Sequence, residues 1–578
     1  MDTTSWKRTG NANTSAANNF FGTTDNVQLN FRVNNFRAGL IDHINENTGF
    51  GMGTLGSLTS GGGNAGLGDS ALRNNTTGTF NTALGFVALK TNTGGNNNTS
   101  VGYRSMFNNL TGNQNATTGD KTLFANTTGS LNTAIGSLAL RTNTTGSQNT
   151  AVGDSAVYSS STVSNLTGIG HASLKSNTSG TDNTSVGYQA MYSNTTGYSN
   201  LVTGSQALFN NTIGFNNVAV GAQALYSNSS GSNGTAVGTN ALYSNTTGYV
   251  NTAVGFRTLY SNSVGSFNTA VGEYAMNSNL DGDENTVMGN FALQFNTSGG
   301  QNTAVGNQAL YKNTISSYNT GFGYNTLYNN TTGALNTAIG ANALLNNTGA
   351  TGNTALGNFA GGQTNDNNYN TYLGYDANNY TGTPYTNSTA LGNTSRITAS
   401  NQIVLGNTNI TQIRAMVTSI TAISDGRFKK NIKEDVKGLD FILRLRPVTY
   451  NLDVYKLNKF LHDTANANTT SISEKEHIVQ SGFVAQEVSE AAKKAGYDFS
   501  GIAIPRSENE PYGLRYTEFV VPMVKAMQEQ QALIVSLQQQ VKTMKLQNSS
   551  NEKNTLDALA ALQKKIEELE KSLAAVKK

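Results

Sequence analysis

The sequence predicts a mainly β fold: a seventeen-residue-repeat β-solenoid or β-roll fibre, followed by a small α/β domain and C-terminal coiled-coil helices. Three observations carry that prediction. The block Asn-Thr-Ala-Val-Gly recurs with its glycine at Gly68, Gly85, Gly102, Gly119, Gly136 and onward to Gly340, Gly357 and Gly374, with no insertion or deletion. Charge is unevenly placed, with 14 Lys+Arg and 14 Asp+Glu in residues 1–423 but 23 and 20 in residues 424–578. Near the C-terminus, apolar residues follow the alternating three- and four-residue spacing of a coiled-coil seam. A short period with regular glycine marks stacked coils, none of which buries its apolar face alone.

The elements follow in chain order, with each repeat numbered from its glycine as position 1. Residues 1–50 form an N-terminal β cap and attachment region. Alternation from Val27 to Val33 predicts strands that shield the first coil, whose edge otherwise invites pairing. Trp6, the only tryptophan, is expected as an anchor of this cap.

Residues 51–374 form the solenoid. Asn-Thr-Ala-Val and Ala-Leu-Tyr-Ser give two short strand-like stretches per coil. Glycines at positions 1 and 11, such as Gly238 and Gly248, separate them where turns require positive φ. A small Ala at position 16 beside Val, Ile or Leu at position 17 is expected to fill a narrow interior. Recurrent asparagines (Asn132, Asn149, Asn183, Asn251, Asn302) predict amide ladders up the stack. Apolar side chains at positions 5, 6 and 17, such as Leu242, Tyr243 and Val254, exceed what one thin coil can hide. Several solenoids packed side by side would cover them, and a closed threefold assembly is the simplest arrangement. The block also resembles the head repeats of trimeric bacterial adhesins, which form β-rolls packed as trimers. Residues 375–423 are a transition, because the glycine spacing breaks at Gly392 and Gly406.

Composition narrows the chemistry. There is no cysteine, hence no disulfide framework and no thiolate metal site. A net charge of +3, dispersed along the chain, argues against nucleic acid as a partner. No run is long and apolar enough to span a membrane. The first residues lack the apolar core of a signal peptide, so an extracellular protein would be exported another way, or its leader lies outside this sequence. The histidines His43, His171, His462 and His477 are scattered, so neither a metal site nor a cofactor is expected. Asp281, Asp283 and Glu284 are the one acidic cluster of the repeat, at the turn of a single coil.

At Ser424 the composition changes. Ser424-Asp425-Gly426-Arg427-Phe428-Lys429-Lys430-Asn431-Ile432 opens a charged α/β segment. Three further blocks follow in order: 439–450, Gly482-Phe483-Val484-Ala485-Gln486-Glu487-Val488, and Tyr512-Gly513-Leu514-Arg515-Tyr516. This module, 424–522, resembles the C-terminal intramolecular chaperone domains of phage tailspikes and tail fibres, a self-cleaving family that includes those of endosialidases. The resemblance implies a Ser-Lys dyad at Ser424 and Lys429, with cleavage between Ile423 and Ser424. The chemistry is coherent, because serine needs a neighbouring base and a desolvated lysine can be one. Lys430 is the alternative base. Phe428 stands where the family more often has leucine.

Residues 523–578 are expected to be coiled-coil helices. One seam runs through Val520, Met523, Met527, Gln530, Ile534, Leu537, Val541 and Met544. Asn548-Ser549-Ser550-Asn551 interrupts it, and Leu559, Leu562, Ile566, Leu569, Leu573 and Val576 resume it. The resemblance implies a homotrimer. The functional expectation is an extracellular trimeric fibre, of a phage virion or a bacterial surface or injection apparatus. Its N-terminal region would attach to that apparatus, and its rod would contact a cell-surface glycan or other envelope receptor. Its own enzymology would be one self-cleavage by a serine peptidase site. A polysaccharide-degrading tailspike and a bacterial adhesin of the same fold are the alternatives.

Overall fold

A computed structural model describes residues 22–363, 367–379, 384–410, 412–414, 416, 420, 422–460, 469–505 and 510–577. Trp6 lies outside these. The chain divides into two compact units, Met1–Gly406 and Asn407–Lys578.

In the first unit β1 (Leu29–Val33) and β2 (Phe36–Asp42) form an antiparallel hairpin, and β2 pairs antiparallel with β3 (Asn47–Phe50). From β3 onward every pairing is parallel and in register, one three-residue strand per coil. Thr48 pairs with Ala65, Thr235 with Thr252 and Thr252 with Thr269. The ladder continues past Leu373 through Thr389–Leu391 and Ile403–Leu405. The main ladder of the solenoid is therefore one parallel sheet closed by turns, extended antiparallel beyond β3 by the hairpin, and near its end Asn378–Asn379 adds a two-residue parallel pair with Arg396–Ile397.

The closing turns differ from the expectation of two strands per coil. Only Thr-Ala-Val is a strand. The Ala-Leu-Tyr-Ser stretch is a turn, because positions 3 and 5 adopt left-handed backbone, as Asn240 (φ 59) and Leu242 (φ 52) do. Position 13 does the same at Val250 (φ 54). Left-handed backbone costs an L-residue about 1–2 kcal/mol, so the stack must return that energy through bonds between coils. Leu242 N–H donates to Thr258 O at 3.0 Å, Thr252 N–H to Asn268 O at 2.8 Å, and Gly238 N–H to Val220 O at 2.7 Å. Each coil is satisfied by its neighbours above and below, so an insertion would leave backbone groups of two coils unpaired.

The two glycines have different physical reasons. Gly238 has φ +137, and a Cβ there would press into the carbonyl of Gly255 in the next coil. The position 11 glycines do not share that left-handed backbone. Gly231 is required by close approach instead, since its Cβ would run into Asn228 Oδ1, Gly248 O and Asn245 Nδ2. The sequence reading of positive φ holds at position 1 only.

The amides form two buried ladders. At position 14, the backbone N–H and the Nδ2 of Asn132 both donate to Asn115 Oδ1, at 3.0 Å each. At position 8, Asn245 Nδ2 donates to Asn228 Oδ1 at 2.8 Å and to Gly248 O at 3.0 Å, while Asn262 Nδ2 donates to Asn245 Oδ1 at 2.9 Å. Replacing Asn245 by Leu deletes three bonds and leaves Asn228 Oδ1 buried without that donor. At about 1 kcal/mol per bond plus the orphan's desolvation, the expected cost is about 3–5 kcal/mol. Hydrogen exchange of the amides in the flanking coils checks it, as protection lost locally.

One coil breaks both ladders. Ser160, Val163 and Leu166 occupy positions 8, 11 and 14, where the neighbouring coils have Asn, Gly and Asn. Asn143 Oδ1, directly below Ser160 in the stack, is buried with no hydrogen-bond partner. Ser160→Asn is expected to supply the missing donor and raise the local opening free energy of residues 143–177 by about 1–2 kcal/mol, read by the same exchange measurement.

Position 16 is buried and position 17 is not. In each strand the middle residue faces inward (Ala253, 0% exposed) while Thr at 15 and Val, Ile or Leu at 17 face out. The expectation that position 17 fills the interior is corrected. The interior belongs to Ala at 4 and 16 and Leu at 5, exemplified by Ala241, Leu242 and Ala253. Leu84, Ile135, Ile339 and Leu356 at position 17 are each 40–45% exposed.

The second unit holds α1 (Leu439–Ile442), α2 (Val454–Phe460), α3 (Thr469–Glu476), α4 (Ala485–Lys494) and α5 (Val520–Val576). Val448–Tyr450 pairs antiparallel with Gln480–Gly482, and Ile502–Ala503 with Gly513–Leu514. Phe441, Val488, Ala491, Ala492, Phe499 and Phe519 form its core. The expected pair of C-terminal helices is one helix of 57 residues that passes through Asn548-Ser549-Ser550-Asn551. The seams on either side are out of phase by four residues, the stutter that a continuous helix absorbs by local unwinding rather than by breaking. Only Pro522 and Ala526 are buried on it, and Ile534, Val541, Leu562 and Ile566 are exposed.

Candidate functional site

Ser424 and Lys429 are brought together by a single helical turn. Asp425 caps the 3-10 helix Gly426–Phe428, its carboxylate accepting from Arg427 N–H at 2.9 Å. The Arg427 guanidinium closes the same carboxylate at 2.6 and 2.9 Å, and those hydrogen bonds hold the Asp425 carboxyl below the usual carboxylate range. The turn folds the chain back, so that Lys429 Nζ donates to Ser424 Oγ at 2.8 Å. The amine within reach of the hydroxyl is that of Lys429.

This arrangement is fully in contact with solvent. Ser424 and Lys429 are both exposed, Phe428 is 74% exposed and Ile423 is 90% exposed. A lysine acts as a base once it is desolvated, and among the described residues both members of the pair stand exposed. The geometry provides the pair, and a second layer of protein would have to provide the environment.

The other sequence blocks build the scaffold. Block 439–450 supplies α1 and the strand Val448–Tyr450, and α1 is tied to α5 by Leu439 N–H donating to Glu529 Oε2 at 2.7 Å. Block 482–488 starts α4, where Glu487 pairs with Arg446 at 2.5 Å. Tyr516, from the last block, accepts from Phe483 N–H through its hydroxyl at 3.1 Å. Upstream of the pair, the chain is held by Lys475, whose amine donates to the carbonyls of Thr408 and Ile410. Burial pushes that amine's pKa below the ordinary lysine value.

An open groove of about 880 Å³ lies on this unit, lined by Tyr450, Leu457, Phe483, Tyr512 and Tyr516 among others, and neither Ser424 nor Lys429 lines it. Sequence reasoning did not find this groove, because its walls come from segments as far apart as Tyr450 and Tyr516. In the first unit the acidic cluster is engaged locally: Asp283 Oδ1 accepts from Ser266 N–H at 2.6 Å and Glu284 Oε2 from Gln301 at 2.9 Å. Among the described residues no three His, Cys, Asp or Glu side chains are grouped to hold a metal ion. No helix among them is long and apolar enough to cross a membrane.

Residues 424–497 match the protein family described as chaperone of endosialidase. The match begins at Ser424, where the composition changes, and takes in the Ser-Lys turn, α1 and α4. No curated protein matches the chain.

Proposed function

We propose that this chain, a β-solenoid with a C-terminal domain of the endosialidase chaperone type, is the precursor of a trimeric tail-fibre-like adhesion protein. The C-terminal unit assembles three chains and then severs itself before Ser424. The observation that carries the reading is the match beginning at a serine whose hydroxyl sits 2.8 Å from a lysine amine.

The assembly is argued from surfaces. The exposed helix α5 presents an apolar seam along its length, which a 57-residue helix must bury to be stable in water. In the solenoid, rows 15 and 17 carry no charged residue from Ala65 to Leu405. Row 17 repeats at the coil spacing of about 4.8 Å, so another copy of the same row matches it along its whole length. About a cyclic axis a row meets its own copies, and a charge-free row, apolar but for Thr118 and Thr203, does so without repulsion. In a trimer the second layer of protein needed around Lys429 comes from neighbouring chains, which links cleavage to assembly.

In the reaction, Ser424 Oγ adds to the Ile423 carbonyl carbon as Lys429 accepts the hydroxyl proton. The C–N bond breaks, and the Ser424 nitrogen takes a proton and leaves as an amine. Water then hydrolyses the ester, yielding the Ile423 carboxylate and the restored hydroxyl. Light scattering and mass spectrometry across a protein dilution series test the coupling. The expected outcome is fragments 1–423 and 424–578 appearing only where trimers form. Cleavage at equal rate in monomers would contradict it. The released rod would then contact a receptor of the cell envelope.

A further inference from the structure

The few charges of the solenoid are sorted by repeat position. All eight Lys and Arg between residues 68 and 374 fall at positions 3, 6 or 7, and none of the nine Asp and Glu there does. The structure shows that these positions form one longitudinal stripe. Position 6 carries a half-buried aromatic row, in which Tyr192, Phe209, Tyr226, Tyr243 and Tyr260 stack with centroids 5.0–5.3 Å apart. Six of the eight cations sit over a ring of this row, at 5.1–5.9 Å: Lys90, Arg104, Arg141, Lys175, Arg257 and Lys312. Lys121 lies instead over Tyr103 and 3.4 Å from Asp120.

We infer that this stripe binds an extended acidic polysaccharide lying along the rod. The inference rests on the adhesive reading above and gives its receptor a chemistry. Three features select that ligand. Positions 3, 6 and 7 carry cations and no acid, the acids of position 2 (Asp69, Asp120, Asp154 and Glu273) standing at the stripe's margin, so an anion is its complement. Its positions recur in every coil and carry a cation in eight of them, so the ligand that uses the spaced contacts is itself a regular, extended polymer. The ring faces are covered by one another, so what the row offers is ring edges, Tyr hydroxyls and the cations held above them, which are contacts for carboxylates, phosphates and sugar hydroxyls rather than flat stacking surfaces. The stripe is also unsuited to the assembly axis, where its cations would meet their own copies.

The test uses the full-length protein with four probes: polygalacturonate, a poly(glycerol phosphate) teichoic acid, neutral dextran and duplex DNA. Binding is expected for at least one acidic polysaccharide and not for dextran, weakening steeply with added salt. Which of the two binds tells whether carboxylate or phosphate is read. The variant Lys90→Gln/Arg141→Gln/Lys175→Gln, with melting and oligomeric state unchanged, is expected to lose about tenfold or more in affinity. The control Asp69→Asn/Asp120→Asn/Asp154→Asn should bind at least as well as wild type. Equal binding of dextran, an undiminished affinity of the triple Gln variant, or preference for DNA would each overturn the assignment. Failure with every polymer while the protein still adheres to bacterial envelopes overturns this inference alone. Failure to adhere to any envelope removes the adhesive reading with it.

Discussion

Ser424→Ala is expected to leave a single 578-residue chain where wild type yields fragments 1–423 and 424–578. The hydroxyl is the only nucleophile in the turn that Lys429 reaches, and water without it attacks a peptide bond negligibly slowly. Loss of a serine nucleophile costs on the order of a million-fold in related chemistry, so within any practical time the variant is uncut. The partner substitution separates positioning from base chemistry. Lys429→Arg keeps a cation able to donate to Ser424 Oγ, yet an arginine holds its proton under all physiological conditions. It is expected to be as inert as Ser424→Ala while trimerising normally. Intact-mass measurement of assembled protein reads both. Wild-type cleavage by Lys429→Arg would move the role of base to Lys430 or elsewhere.

The second large effect concerns the outward row of the sheet. Phe322, Ile339 and Leu356 are 55%, 40% and 45% exposed in one chain, so replacing them by Asp leaves the coil itself little strained. If row 17 is where copies meet, each carboxylate is then buried beside its own copies, at a cost of several kcal/mol apiece. The triple variant is expected to lose the rod's trimeric packing, seen as splayed or monomeric rods after the C-terminal unit is gone. The matched change Asn233→Asp, on an exposed position 13, should leave assembly as it was. Unaltered trimers in the row 17 variant would place the interface on another face.

The unbroken glycine register made the solenoid legible, since a unit of this length kept without insertion or deletion fits one coil of a stack. The asparagine ladder of position 14 was equally legible, because identical amides in register have one another as nearest partners, while the ladder of position 8 came from the structure. The Ser424–Lys429 contact was legible through its motif, whereas the Asp425–Arg427 clamp that bends the turn emerges only from the structure. Other features were hidden for stated reasons. Neighbours on a strand point to opposite faces, so of positions 16 and 17, both expected in the interior, only Ala253 lies there and Val254 turns outward. Left-handed backbone at Leu242 runs against the preference of leucine and is imposed by bonds from the coils around it. The run Asn548-Ser549-Ser550-Asn551 has poor helix formers, yet α5 continues through it because the four-residue phase shift needs no break.

The unbroken period also explains what a terminal assembly unit is for. Near-identical coils pair one unit out of register at little cost, so misaligned rods compete closely with aligned ones. On the proposed reading, a trimerising unit at one end would fix the alignment first, and its later removal would leave a rod held by its unfolding barrier. Refolding from denaturant tests this most directly, comparing the uncut Ser424→Ala chain with the mature fragment 1–423 under the same conditions. The account predicts registered trimers from the full-length chain and monomers or misaligned aggregates from the fragment. Equal recovery of registered trimers from 1–423 alone would contradict it.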